Sequence, residues 1–150
     1  MMTSTKQNLK GWLKSMVLLI DANIILDVLM NRSEFVRDSS LVWKLCESNQ
    51  VKGYLSSLTF ANLSYIMRKQ LDPDRIKEIF KKLSLIFEFT DFGVSDLNTA
   101  VDFCWTDFED AIQSATAERL NADYIVTRNI RDFSKSRIPA CTPAEFLSKI

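Results

Sequence analysis

Apolar positions along this chain switch repeatedly between a strand-like and a helical pattern. Met16-Val17-Leu18-Leu19-Ile20 is a continuous apolar run, the length and composition of a strand buried on both faces. Directly after it, Ile24, Ile25, Val28 and Leu29 recur at helical spacing. A second helical pattern from about Ser33 to Asn49 uses Phe35, Leu41, Val42, Leu45 and Cys46, and Asn31-Arg32-Ser33 separates the two. Lys52-Gly53-Tyr54-Leu55-Ser56 predicts a short strand, Thr59 the N-cap of a helix through Lys69, and Asp72-Pro73 the start of a helix to about Leu83. Leu85 to Phe89 predicts a third strand. Ser95 or Asp96 then opens a helix to about Trp105, and Thr106 or Asp107 opens another through Asn121. Tyr124-Ile125-Val126 is a strand, Asn129 to Phe133 a helical turn, Ile138 to Cys141 an edge strand, and Thr142-Pro143 the start of a terminal helix. Strands alternating with helices define βαβ units, so the expected architecture is a three-layer α/β/α sandwich with a mainly parallel central sheet.

With 150 residues the chain fits one domain able to bury roughly 68–70% of its unfolded surface. Nothing resembles a linker or repeat, and residues 16–150 are expected to form that single domain. Residues 1–15, polar and carrying Lys6, Lys10 and Lys14, are expected to be a flexible N-terminal extension. Met16 is itself a candidate start, which makes Trp12 and Leu13 weak core candidates. The extension lacks the apolar stretch of about 7–15 residues that a secretory leader needs, and no run approaches the roughly 18–20 apolar residues of a membrane span. Cys46, Cys104 and Cys141 form no CxxC pair and are read as reduced core residues, which fits a cytoplasmic protein.

Charge and composition narrow the chemistry. Lys+Arg and Asp+Glu balance at 19 each, so any nucleic-acid contact must be local rather than driven by a global positive field. Histidine is absent, which excludes the Ser-His-Asp triad, the Cys-His pair and His-ligated zinc. What remains is acids, amides and hydroxyls. Asp21 and Asn23 follow the first strand, Asn62 lies in the third helix, Asp107 and Asp110 open the segment Asp107-Phe108-Glu109-Asp110-Ala111, and Asn129 and Asp132 follow the fourth strand. In a parallel sheet the strand carboxyl ends and the following helix amino ends share one edge, so Asp21, Asp110 and Asn129 are candidates to converge there. Two carboxylates about 4 Å apart repel by roughly 4 kcal/mol at an effective dielectric of about 20, so such a cluster either protonates or holds a cation. All-oxygen donors suit Mg²⁺ or Mn²⁺. Each acid also has a plainer reading: Asp21 and Asp107 as helix caps, Asp110 as a first-turn acid favoured by the helix dipole, Asp27 and Asp132 as solvated helix-face charges.

Taken together in their order, Leu19-Ile20-Asp21-Ala22-Asn23-Ile24-Ile25-Leu26-Asp27, then Leu58-Thr59-Phe60-Ala61-Asn62-Leu63, then Asp107-Phe108-Glu109-Asp110-Ala111-Ile112-Gln113, then Ile125-Val126-Thr127-Arg128-Asn129-Ile130-Arg131-Asp132-Phe133, resemble the PIN-domain family. The likeness is to its toxin-type, VapC-like branch with DFEDA and TRNxxDF motifs, and it runs from Met16 to Thr142-Pro143-Ala144-Glu145-Phe146. The resemblance implies the α/β/α sandwich and a Mg²⁺- or Mn²⁺-dependent ribonuclease, with an antitoxin protein as partner and a homodimeric state. It makes Asp21 and Asp110 the metal ligands, with Asn129 or Asp132 contributing from the last motif. Asn23 and Thr127 then support the site, and Asp107 takes an outer or second-metal role. Arg128 and Arg131, followed by Lys135 and Arg137, are candidates for RNA phosphate contact.

One position departs from that pattern. Where the family places a Glu in the helix after the second strand, this chain has Asn62. An amide can ligate a cation but brings no charge. The implied alternatives are a weakened nuclease and an RNA- or protein-binding module without turnover. A third reading, phosphoryl transfer through an aspartyl intermediate at Asp21, lacks the second Asp of a DxD pattern, since Asn23 stands there.

Overall fold

The apolar run after Met16 becomes strand β1 (Val17–Ile20), the middle strand of the sheet. The computed structural model describes residues 11–150. In chain order β1 is followed by α1 (Ala22–Leu29), α2 (Val36–Glu47), β2 (Lys52–Ser56), α3 (Ser57–Met67), α4 (Pro73–Ile86), β3 (Glu88–Thr90), α5 (Val94–Phe103), α6 (Phe108–Arg119) and β4 (Tyr124–Val126). A 3₁₀ turn (Ile130–Phe133), β5 (Ala140–Cys141) and α7 (Pro143–Ser148) complete it. The sheet order is β3-β2-β1-β4-β5, and every pairing is parallel.

The alternation of side chains along β1 divides the core. Leu18 and Ile20 face a large apolar cluster with Ile24, Ile25, Val42, Leu55, Leu83 and Phe146, contributed by α1, α2, β2, α4 and α7. Leu19 points to the opposite face and packs with Ala117, Ala122, Ile125 and Phe133. Beyond it, Ala100, Ala111, Ile112 and Ala115 join α5 to α6 through small residues that allow close approach. Helices therefore cover both faces, and the three-layer α/β/α sandwich expected from the sequence is the observed fold.

The topology creates one special edge. From β1 the chain winds outward through β2 to β3, then returns across the sheet through α5 and α6 to place β4 on the other side of β1. The winding direction reverses between β1 and β4, and a crevice opens there at the strand carboxyl ends. Asp21 and Thr127 each lie one residue beyond those strands.

Several boundaries differ from the sequence expectation for physical reasons. Helix α3 starts earlier than Thr59: Ser56 is its N-cap, its hydroxyl accepting from the Leu58 amide at 3.2 Å, and Thr59 is buried inside the helix. Helix α4 continues through Leu85 and Ile86, which were expected in a strand. Leu85 is 88% exposed, so the apolar run there is not a buried one, and β3 begins only at Glu88. Residues 11–15 are helical, and Leu13, a weak core candidate in the sequence, packs against the main core. The rest of the expected extension, residues 1–10, lies outside the described residues. Cys46 and Cys141 are buried thiols, whereas Cys104 is exposed at a left-handed helix end with φ 55°.

Gly53, in β2, marks a close contact. A Cβ there would stand 2.6 Å from Cys46 Sγ and 3.0 Å from Phe87 Cδ1. Gly53→Ala is expected to lower unfolding free energy by about 1–3 kcal/mol in urea titration, and Cys46→Ala in the same chain to recover part of that loss.

Candidate functional site

Asp21 is placed by backbone before its side chain does anything. Its amide donates to Val126 O at 3.0 Å, extending the β1–β4 ladder by one residue, while its extended conformation (φ −77°, ψ 155°) ends the strand and caps α1. One carboxylate oxygen, Oδ1, accepts from the Ala22 amide at 2.8 Å. The other, Oδ2, accepts from the Thr127 hydroxyl at 2.7 Å and from the Asn23 side-chain Nδ2 at 3.3 Å. The cap reading and the site reading of Asp21 thus describe two different oxygens of one group.

The segment after β4 closes on this carboxylate. Thr127 is fully buried; its Oγ1 accepts from the Asn129 backbone amide at 3.0 Å while donating to Asp21. Asn23 Oδ1 accepts from the Arg128 backbone amide at 3.3 Å. Asp21, Asn23, Thr127 and the backbone of Asn129 therefore form one connected polar group across 106 residues of sequence separation. Burial pushes the Asp21 carboxyl above its usual range, opposed by the hydrogen bonds from Thr127 and Ala22; Asp132 raises it further and Arg128 lowers it.

Asp110 approaches from α6. Asp107 is the N-cap of that helix, its Oδ1 accepting from the Asp110 amide at 3.1 Å, as the capping spacing predicts. Asp110 is pushed up to about 7, first by burial and then by the charges of Asp107, Asp132, Asp21 and Glu109. These carboxylates share one edge of the sheet. Asp107, Asp110 and Asp132 line a cleft of about 230 Å³ with Trp105, Ser134 and Lys135. Asn129 and Arg131 are exposed beside it, and Arg131 is in no ion pair among the described residues.

Asn62 is half-buried on α3, and its Nδ2 lies 3.4 Å from Glu109 Oε2. Glu109 is a member of the acidic edge that sequence reading did not single out, because only the α3–α6 packing sets it against Asn62. Gln113, one turn further along α6, is buried and donates to Thr59 Oγ1 at 2.8 Å, while its Oε1 has no protein partner.

Asp27 is not the solvated charge expected. It is completely buried in α1, accepting from Ser39 Oγ at 2.9 Å and Arg128 Nε at 3.0 Å, with Arg32 Nη1 at 3.5 Å. Arg128 also stacks on Phe35, 4.0 Å from the ring centroid. Its Nε is thereby committed to the interior and not to solvent. The available signal was an acid inside the otherwise apolar Ile24-Ile25-Leu26-Asp27-Val28-Leu29, where only a partnered carboxylate is tolerated.

The donor set fits a hard divalent cation in chemistry: all oxygen, with the Asp110 carboxyl raised to about 7 first by burial and then by the negative charges around it. Among the described residues no three acid or cysteine side chains are grouped closely enough to form a ready-made metal cage. No helix among them is long and apolar enough to cross a membrane.

An open parallel α/β sheet whose switch point gathers carboxylates, amides and one buried hydroxyl defines a class of acid-edged α/β domain. The PIN domain family model matches residues 17–131, and the chain belongs to that family, whose members are generally nucleases. No curated protein matches the chain. Solved structures are similar in fold. VapBC2 from Rickettsia felis bound to a DNA fragment from its promoter has a TM-score of 0.67 at 17% identity, covering 85% of this chain and 98% of that one. VapBC-1 from nontypeable Haemophilus influenzae gives 0.67 at 16%, covering 86% and 99%. A toxin–antitoxin complex from Klebsiella pneumoniae gives 0.62 at 20%, covering 84% and 97%.

The raised Asp110 carboxyl fixes the sign of a pH effect. Its contribution to stability is fully present below the unfolded value near 4 and is lost as pH rises through the folded value of about 7. In chelator-treated buffer the protein is expected to melt lower at pH 8 than at pH 5. Asp110→Asn should raise the pH 8 melting temperature by ~2–4 °C, corresponding to about 1 kcal/mol after solvent screening of this half-buried group.

Proposed function

We propose that this chain is a metal-dependent endoribonuclease that hydrolyses RNA phosphodiester bonds and acts as the toxin of a toxin–antitoxin pair. The observation that carries the reading is the Asp21 carboxylate, held at the switch point by Thr127 and Asn23, opposite an Asp110 raised to about 7. Membership of the PIN-domain family supports nuclease chemistry. The fold's similarity to structures described as VapBC and toxin–antitoxin complexes supports an antitoxin partner; a homodimer working in the cytoplasm completes the proposal.

In this reading Asp21 and Asp110 hold Mg²⁺ or Mn²⁺, with Asn129 or Asp132 as the further ligand. The bound ion supplies a lowered pKa for water and charge compensation on the phosphate. Thr127 and Asn23 orient Asp21 Oδ2, and Asp107 fixes the amino end of α6 and so the position of Asp110. Arg131 and Lys135, both exposed, would meet phosphates of the RNA backbone in this reading. Cleavage of a mixed RNA pool in a Mn²⁺ titration is expected for the wild type. Asp21→Asn should reduce it to the level of the buffer control.

A binding module without turnover is the second reading, favoured by the neutral Asn62 beside Glu109 and by the lack of a ready-made cage among the described residues. It would appear as RNA retention without cleavage at any Mn²⁺ concentration. Asn62→Glu separates a weakened nuclease from an abandoned one. A charge added about 4 Å from a cation is worth up to about 4 kcal/mol per unit of ion charge at an effective dielectric of 20, and repulsion from Glu109 offsets part of it. About tenfold tighter Mn²⁺ binding by calorimetry is therefore expected, and an unchanged affinity would place residue 62 outside the metal's reach.

A further inference from the structure

We propose that Asp27 is a positioning residue for this site, acting through Arg128 on the segment that grips Asp21. The inference rests on the nuclease reading only for its metal-binding arm; its geometric arm stands without it.

Asp27 lies away from the acidic edge and touches none of its carboxylates. Its connection runs through one side chain. Asp27 Oδ2 receives Arg128 Nε at 3.0 Å, and the guanidinium is pinned from another side by the Phe35 ring at 4.0 Å. Arg128 belongs to the three-residue segment Thr127-Arg128-Asn129 immediately after β4. In that segment the Thr127 hydroxyl donates to Asp21 at 2.7 Å, the Arg128 amide donates to Asn23 at 3.3 Å, and the Asn129 amide donates to Thr127 Oγ1 at 3.0 Å. Asn129 is exposed, and its side chain makes no hydrogen bond among the described residues, so it gives the segment no inward hold. Of the two residues following Thr127, Arg128 alone is tied to the interior by its side chain.

A completely buried carboxylate is an expensive anchor, since one left unpaired is strongly destabilising. Ser39 and Arg32 already supply two donors to Asp27, Arg32 at the longer 3.5 Å. The short contact from Arg128 adds the closest charge and fixes where the post-β4 segment crosses the end of α1. Groups that hold a ligating carboxylate in place commonly alter metal affinity by about 10–100-fold when removed, without touching the metal.

The test uses the full chain. In metal-free buffer, the Arg128 and Asn129 amides should exchange with deuterium about tenfold faster in Asp27→Asn and in Arg128→Met, beyond any change at the sheet amides of Leu19 and Ile125, which report global opening. Ser39→Ala removes a hydrogen bond from the same carboxylate and leaves Arg128 in place, so it should lower stability without that local acceleration. In the metal arm, Asp27→Asn should weaken Mn²⁺ binding about tenfold, and Ser39→Ala should leave it as in the wild type. Unchanged local exchange in both Asp27→Asn and Arg128→Met overturns the proposal, and so does acceleration of equal size in Ser39→Ala. If the wild type binds no Mn²⁺ and cleaves no RNA, the nuclease reading fails by itself and the exchange comparison decides the role of Asp27.

Discussion

The register of β4 against β1 is the constraint on which the acidic edge depends. Ile20 stands beside Val126, and the bond from the Asp21 amide to Val126 O carries the pairing one residue past the strand. Side chains on a strand alternate with period two, so a slip of one residue would turn the Thr127 hydroxyl to the opposite face of the sheet and leave Asp21 Oδ2 without its shortest partner. Burial on both faces prevents such a slip. Leu18, Leu19, Ile20, Ile125 and Val126 are all at or below 1% exposure, and any shift would move apolar groups out of packed positions on both sides. The polar geometry is thus held by apolar packing.

Within a short distance of that register the protein treats buried negative charge in two opposite ways. Asp27 is completely enclosed, yet Arg128, Arg32 and a hydroxyl surround it, so the charged form is matched by nearby donors. Asp110 has the reverse environment: burial first, and then the charges of Asp107, Asp132, Asp21 and Glu109, oppose its ionisation, and the carboxyl rises to about 7. A structural carboxylate ends up neutralised by protein cations, and the edge carboxylates remain electrostatically unfinished. That difference separates a carboxylate partnered within the protein from one that only an external ion or a proton would complete.

The apolar runs made most of the fold legible in the sequence. The strands at Val17, Lys52 and Tyr124 and the caps at Asp72, Asp107 and Thr142 all follow from local signals of period and capping. The failures have local causes too. Leu85-Ile86 is apolar enough for a strand, but the preceding periodicity of α4 carries the helix through it. Thr59 competes as a cap with Ser56, and Ser56 wins because the strand ends there. At the site, Asp21 and Asp110 were recognisable because strand ends and helix starts fall on one edge by topology, whereas Thr127 came only with the family resemblance. Glu109 opposite Asn62, Gln113 on Thr59, and Asp27 on Arg128 were not, since each depends on which faces of two helices or loops meet in space.

The partners at the carboxylate end of β1 are separated by almost the whole domain: Asp21 is near its beginning and Thr127 near its end. The crevice between β1 and β4 is therefore a non-local product of folding, closed only after a long loop of chain has been ordered. On a ribosome that delivers the amino-terminal part first, the nascent chain can build α1 to α4 on β1, β2 and β3 while its acidic edge is still unassembled. Whatever chemistry that edge performs is withheld during synthesis until β4 and the segment behind it have emerged and docked beside β1.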